Sequence, residues 1–370
     1  MTTPSLTRLD DLSISVMTHP LRRHLARDVV AALHPLAMEV AVDPDPWNTP
    51  RTLRTSIEAW RRADPDRAYH LVLQDDVVLS PDFTAHLADI VSTAPDVPVA
   101  LGAVWISRNG CAVRWAAAQG ARFVEAIPEF LPCLGLLMPT RLARRYVEFA
   151  SSWPDPDTPD DVVMQEFVAR EAVRPLLTVP SIVDQRPVHS LIGNDYGIIR
   201  AACFGSPPPG WFAEDKATIT GYTALPVLRQ GRLSLYTDPG GRYGGPWDKA
   251  PFERSAHRLG WDVDRLAERY DAFLAAAPRE LSDRWFRLVG PRVLWTAWLT
   301  AHAMRHFPAP GHVPDLPDPD PMFVDTALRT ILTGGFLELS RPTPVQRTLM
   351  DEIDTLLPIA VAGYRAPLLE

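Results

Sequence analysis

Lysine is nearly missing from this 370-residue chain: of 37 basic residues only Lys216 and Lys249 are lysines, and the rest are arginine. The simplest reading is a coding bias toward GC-rich codons. Choice of arginine for its phosphate-matching fork applies at most to a few positions. Cysteine is scarce as well. Cys111, Cys133 and Cys203 are odd in number and far apart. That excludes a disulfide frame or a zinc knuckle and fits free thiols in a reducing cytoplasm. No run of eighteen apolar residues occurs, so no membrane span is expected. The start, Met1 to Arg8, is polar and lacks an apolar signal core, so a cytoplasmic protein is expected. Bases are outnumbered by 45 acids, for a net charge of −8, which makes the chain a poor binder of nucleic-acid backbone. Neither an internal repeat nor a heptad register is present. A hydrophobic fraction of 46% supports a substantial core, in two domains or in one large one with an appendage.

What is present begins as strand–helix alternation. Leu12–Met17 alternates as a first strand, and His19-Pro20 breaks it. Leu21, Leu25, Val29 and Leu33 then recur at helical spacing. Met38–Val42 reads as a second strand, Leu53, Ile57 and Trp60 as a second helical face, and His70–Leu73 as a third strand. Ser80-Pro81 reads as an N-cap with proline at the first helical position, ahead of Phe83, Leu87 and Ile90. Val99–Trp105 follows as a fourth strand. This order argues for a mostly parallel sheet flanked by helices. Asn109-Gly110 and Gln119-Gly120 then suggest hairpin-like additions over Cys111–Ala117 and Ala121–Ile127. Leu134–Met138 is a strand, Thr140 caps a helix through Phe149, Asp160-Asp161 opens a helix, and Leu176–Val179 is a last strand. Ser206-Pro-Pro-Pro-Gly210 marks a boundary between residues 1–205 and a mainly helical 206–370, because prolines stiffen and separate what they join. In the second part Asp238–Pro246 is an irregular loop, and 250–275, 279–305, 321–339 and 343–363 are helical.

The chemistry concentrates at Gln74-Asp75-Asp76. A buried strand that stops on two acids places them at the carboxyl edge of a sheet, where open α/β sheets bind ligands. Two adjacent carboxylates repel unless something positive lies between them. A divalent cation carrying a phosphorylated substrate answers that requirement. On a solvated loop the same pair would carry no chemistry.

Here the sequence resembles nucleotide-sugar glycosyltransferases of the GT-A fold, a Rossmann-like α/β architecture, over roughly residues 10–200. Their metal-binding acid motif follows a strand in this position, and Pro81-Asp82-Phe83 leading into a helix is also typical. Gln74 departs from the acid often found first in the motif. Three further stretches agree in order: Cys133-Leu-Gly-Leu136, Thr158-Pro-Asp-Asp161 and His189. The resemblance implies Mn²⁺ or Mg²⁺ held by Asp76, with Asp75 and His189. It implies a donor nucleotide over Thr18, His19, Arg22 and Asp43, with Asp75 at the ribose and Gly135 beside the donor sugar. It further implies Asp161 as general base for an acceptor hydroxyl, with Asp160 beside it. Each has a plainer alternative: a strand glycine, acids stabilising a helix start, a structural histidine. Arg51 and Arg54 either face the diphosphate or solvate a helix, and Trp47 either stacks on a ring or packs inside.

The expected activity is metal-dependent sugar transfer from a nucleoside-diphosphate sugar to a hydroxyl-bearing acceptor, with inversion, or by a retaining route if no base is well placed. A sugar nucleotidyltransferase shares the sheet but normally carries a glycine-rich loop after the first strand. Thr18-His-Pro-Leu-Arg22 contains no glycine. A non-catalytic binding protein on a degenerate transferase scaffold is the third reading, kept open by Gln74.

Overall fold

A computed structural model of the chain describes residues 9–48, 51–93, 95–193, 198–213, 217–238, 247–310, 316–336 and 343–368. The polar start through Arg8, and residues 239–246 of the glycine-rich loop, lie outside the described residues. The chain begins with β1 (Leu12–Thr18), α1 (Arg23–Ala32), β2 (Glu39–Val42), α2 (Thr52–Arg61) and β3 (Tyr69–Gln74), as the sequence predicts. There follow β4 (Val77–Leu79), α3 (Phe83–Ser92), β5 (Val99–Ala100), α4 (Arg108–Ala118), β6 (Phe123–Glu125) and β7 (Gly135–Pro139). Next come α5 (Thr140–Ser151), α6 (Asp160–Arg170), β8 (Leu176–Thr178), β9 (Val183–Gln185) and β10 (Thr218–Ile219). The remainder is β11 (Ala224–Arg229), β12 (Arg232–Thr237), β13 (Asp248–Pro251), α7 (Phe252–Ala256), α8 (Val263–Ala276), α9 (Arg279–His306), α10 (Pro321–Gly335), α11 (Thr343–Asp351) and α12 (Ile353–Arg365).

Eight strands form one mixed, mostly parallel sheet in the order β10-β6-β8-β5-β7-β3-β1-β2. β1 runs parallel to both β2 and β3, while β7 runs antiparallel to β3 and β5. Alternating residues feed opposite faces, as the pleat requires. Leu71 and Leu73 of β3 join Val29, Phe83 and Leu87 on one face; Val72 joins Leu53, Trp60 and Leu142 on the other. Both faces are therefore covered by helices, which is why β3 reads as a nearly unbroken apolar run over Leu71–Leu73, although β1 alternates.

The hairpins expected over 111–127 are absent; Arg108–Ala118 is helix. Ser107 caps it by accepting from Gly110 N. Asn109 turns inward, its Oδ1 accepting from Ile127 N at 2.8 Å and its Nδ2 donating to Phe130 O at 3.0 Å. Asn-Gly is thereby drawn into a helix start. Alanines favour the helix, and Gly120 at φ 81° ends it in the left-handed turn typical just past a C-cap. Val99–Trp105 is strand only over Val99–Ala100. Beyond it Leu101 O accepts from both Ile182 N and Val183 N, so the chain leaves the sheet against β9. Ser80-Pro81 does not cap α3: Ser80 N is still paired to Ile182 O, and the helix starts at Phe83 behind Asp82, at φ 57°. Thr140 is the first helical residue of α5 instead of its cap. Leu176–Val179 is not the last strand, since β9 to β13 follow.

Residues after the proline run are not helical alone. β10 pairs with β6 at the sheet edge, and β11–β12–β13 form a small antiparallel sheet. The β11–β12 hairpin turns through Gln230 and Gly231, both at positive φ, which suits the right-handed twist of its strands. The later helices pack on the face bearing α4. Arg114 of α4, 2% exposed, donates to Trp105 O (2.7 Å), Thr330 O (2.8 Å) and Thr330 Oγ1 (2.9 Å), so α10 is tied to α4 through a buried guanidinium. The apolar cluster on this face runs from Trp60 through Trp115 to Trp298 and Leu356. Among the described residues, no helix is long and apolar enough to cross a membrane.

α12 crosses α9 closely at Gly363, where an added Cβ would lie 2.1 Å from Trp298 O. In an exposed helix Gly→Ala adds roughly 1 kcal/mol of stability. Gly363→Ala is expected to reverse that sign and destabilise by about 1–3 kcal/mol, because backbone cannot yield as a side-chain tip would. Urea unfolding measures it.

Candidate active site

The carboxyl ends of β1 and β3 open onto a cleft of about 490 Å³. Thr18, His19, Arg22, Asp43, Asp75, Asp76, Asp160 and Asp161 all line it, so the structure gathers these predicted residues into one place. β3 carries the first acid pair there because its apolar residues are locked between β1 and β7. Asp75 and Asp76 are each 5% exposed. Thr18 Oγ1 donates to Asp75 Oδ2 at 2.6 Å. Arg22 Nη1 lies 3.5 Å from Asp75 Oδ1 and 3.3 Å from Asp76 Oδ2, so a guanidinium bridges the pair. Two like charges about 4 Å apart repel by roughly 4 kcal/mol at an effective dielectric near 20. A hydroxyl-to-carboxylate hydrogen bond returns only about 1.5–3 kcal/mol. The Thr18 hydroxyl cannot hold the pair together alone, and Arg22 supplies the compensation. Burial still pushes the Asp75 carboxyl above its ordinary value, against the opposing pull of Thr18 and Arg22.

Asp76 Oδ1 is buried and has no hydrogen-bond partner among the described residues, while Gln185 Nε2 reaches Oδ2 at 3.4 Å. This donor set fits a cation held by one or two carboxylates together with substrate phosphates, the usual manner of Mg²⁺. It does not fit an all-protein cage: among the described residues, no group of three or more His, Cys, Asp or Glu is placed to hold a metal ion. His189 in particular is exposed and is not part of the cleft wall. Its backbone carbonyl, not its imidazole, meets the site by accepting from Arg22 Nη2. Gly135 also departs from expectation. A Cβ there would meet Leu73 Cδ2 at 3.0 Å and Val183 Cγ2 at 3.2 Å, so its missing side chain serves core packing beneath the cleft; Cys133 and Leu134 are the lining residues.

His19 follows β1. Its Nδ1 accepts from Leu21 N at 3.2 Å, which leaves the proton of the neutral ring on Nε2. Nε2 is buried without a partner among the described residues and belongs to a cleft residue, so it offers a donor to an anionic group. Asp43 follows β2 and is already engaged: Arg54 Nε donates to Oδ1 at 2.6 Å and Nη2 to Oδ2 at 2.9 Å. Burial acts to raise its carboxyl, but this bidentate pairing outweighs it and the net shift is downward. Arg54 is therefore committed to Asp43, and Arg51 pairs with Asp157. Trp47 is 96% exposed and stands outside both the core and the cleft wall.

No family model matches this chain, and no curated protein does.

The second acid pair opens α6. Asp160 N donates to Thr52 Oγ1 at 3.1 Å, and Leu131 N donates to Asp161 O at 3.2 Å, which fixes the helix start against α2 and the 126–134 segment. A helix N-terminus favours acids, yet here burial dominates. It raises Asp160, and it pushes Asp161 up to about 7, with the neighbouring Asp160 charge adding to the effect. Burial, and next Asp160, likewise push the Tyr146 hydroxyl well above its usual range, so this corner is dry. A carboxyl tuned near neutrality is suited to take a proton from a hydroxyl. The sequence reading missed Gln185 and Arg186, delivered by β9, and the apolar lining from Ile106, Phe130, Ile192 and Ile199. The signal available for the first two was the polar end of an apolar run, Ile182-Val-Asp-Gln-Arg186.

A carboxyl whose folded pKa is raised contributes stability below its ordinary value that is lost as pH climbs through the folded one. For Asp161 that window runs from its ordinary value of 3.8 to about 7. Asp161→Asn should therefore match the wild type near pH 4 and exceed it in stability at pH 8, with the gap opening across that range in denaturant titrations.

Proposed function

We propose that this protein is a metal-dependent glycosyltransferase of GT-A-like architecture that moves a sugar from a nucleoside-diphosphate sugar to a hydroxyl acceptor with inversion. The observation that carries the reading is the sharing of one cleft by two carboxylate pairs, the buried Asp75/Asp76 at the end of β3 and Asp160/Asp161 at the start of α6, where Asp160 is buried and Asp161 half-buried. The two pairs suit different tasks because their surroundings differ: one is bridged by Arg22, and the other has burial and its own like charge to contend with.

Asp76, with Asp75, would hold Mg²⁺ or Mn²⁺. When bound, such an ion supplies Lewis-acid neutralisation of the leaving diphosphate. The chain's own residues do the rest. Thr18 orients the Asp75 carboxylate, and the His19 Nε2–H and the Arg22 guanidinium offer positive or donor groups to phosphate oxygens. Asp161, ionised, takes the proton of the acceptor hydroxyl. The oxygen forms its bond to the anomeric carbon as the bond from that carbon to the diphosphate breaks, and the electron pair leaves with the diphosphate. Burial, and next the Asp160 charge, keep Asp161 poised near neutrality.

The Arg22 bridge also favours a second reading, a binding protein that has replaced the cation with a guanidinium. A nucleotidyltransferase is less supported, since the chain after β1 forms a short 3₁₀ turn over Pro20–Arg22 that begins with proline and contains no glycine.

Thermal shifts with UDP, GDP or TDP, with and without Mn²⁺, separate these. A metal-dependent rise with a diphosphate is expected; ligand at about 100 times its dissociation constant adds about 2.7 kcal/mol. Asp76→Asn should abolish that rise while leaving the fold intact. A rise with triphosphate alone would point to nucleotidyl transfer, and none at all to the binding protein. In turnover assays Asp161→Asn should lower kcat by about 10²–10⁴-fold with little change in donor KM. An unchanged kcat would move the base elsewhere.

A further inference from the structure

Of the four carboxylate oxygens on Asp75 and Asp76, three have partners. Thr18 Oγ1 donates to Asp75 Oδ2 at 2.6 Å. Arg22 Nη1 lies 3.5 Å from Asp75 Oδ1 and 3.3 Å from Asp76 Oδ2, and Gln185 Nε2 also reaches Asp76 Oδ2, at 3.4 Å. The remaining oxygen, Asp76 Oδ1, is buried and has no partner among the described residues. When both acids are ionised they carry two negative charges, and Arg22 returns one. The site is therefore part-way to a cation site, with a guanidinium standing where a metal would compensate the pair.

A divalent cation arriving alone meets one open oxygen and a positive charge already between the acids. Two cations would then share a buried site with no further anion, which low-dielectric surroundings penalise. A diphosphate changes both conditions. Its oxygens complete the set that Mg²⁺ usually takes, one or two carboxylates with substrate phosphates. They also suit a guanidinium, whose planar fork matches phosphate. Arg22 is the arginine open to such an exchange. Both of its approaches to the acids exceed the usual N–H···O range of about 2.7–3.2 Å. One nitrogen is shared between the two acids, whereas Arg54 sets two nitrogens on the two oxygens of Asp43, at 2.6 and 2.9 Å. Resting on the metal-dependent reading above, we infer that Arg22 is a stand-in for the cation: it resists metal alone, and it yields the acids and turns to the phosphates when cation and diphosphate bind together. Arg22 thus acts with opposite sign on two equilibria. It competes with the free cation and assists the diphosphate, so that binding of each favours the other.

The test uses the full chain. Binding of Mn²⁺ alone is read from loss of the free-ion signal in electron paramagnetic resonance, and binding of UDP, GDP or TDP in excess Mn²⁺ by titration calorimetry. Arg22→Gln is expected to bind Mn²⁺ alone about tenfold more tightly than the wild type and the diphosphate in Mn²⁺ about tenfold more weakly. A residue that merely shaped the cleft would weaken both. Arg22→Lys, whose compact ammonium lacks the fork, is the second variant should the first fail to fold, with shifts in the same two directions. In the variant that folds, Mn²⁺ affinity not raised, or diphosphate affinity not lowered, overturns the inference. Mn²⁺ binding that Asp76→Asn abolishes but the Arg22 variant leaves unchanged overturns it while the metal reading stands. No Mn²⁺ binding by any of these proteins, with or without a diphosphate, overturns the metal-dependent reading and the inference with it.

Discussion

Negative charge is buried at the rim of a sheet, and something must compensate it. β3 drives Asp75 and Asp76 out of water because the residues before them are packed on both faces of the sheet. Arg22, carried on the turn after β1, supplies a guanidinium that spans both carboxylates. Around this bridge the rest of the cleft is arranged. β9 pairs with β4 just beyond the acids, and Arg186 N donates to Asp76 O at 2.7 Å, which brings Gln185 and Arg186 to the same rim. The Arg54–Asp43 pair fixes the end of β2 on the other side.

Compensation by an arginine differs from compensation by a metal in one useful way. The Arg22 guanidinium lies 3.3–3.5 Å from the two acids, less close than Arg54 lies to Asp43 at 2.6–2.9 Å, and it also donates to His189 O. On the proposed reading, a diphosphate arriving with a cation would offer Arg22 new acceptors and the carboxylates a new positive charge. The acid pair would then stay neutralised throughout, and the fold would not bear two unpaired buried charges, a cost of several kcal/mol. Among the described residues the second pair has no such partner. Asp160 and Asp161 share a dry corner with Cys133 and Tyr146, and the pKa of Asp161 near neutrality follows from that burial.

Much of this arrangement is readable from the sequence where the pattern has a definite period. β1, β3, α1, α2 and α6 follow from apolar spacing, and the Asp75/Asp76 position follows from the run that precedes it. α4 does not, because every one of its residues after Arg108 is buried and no polar face marks the 3.6-residue period. Asn109-Gly110 then mimics a turn, although Asn109 bonds inward to Ile127 and Phe130. The β11–β12 hairpin is masked by Pro226, a residue that argues against a strand. At the site, the order of motifs along the chain brings eight of the named residues to one cleft. It misplaces Gly135, whose tight neighbour is Leu73, and His189, of which only the carbonyl reaches Arg22. The pairing of Arg22 with two acids more than fifty positions away is tertiary, and no local pattern encodes it.

The central claim is that the Asp75/Asp76 rim activates a sugar nucleotide. The most direct measurement is release of nucleoside diphosphate, read by chromatography, from a panel of UDP-, GDP- and TDP-sugars incubated with the purified protein and Mn²⁺. The account predicts slow release from at least one donor by the wild type and none above background by Asp76→Asn. Release from no donor, or equal release by both proteins, would contradict it.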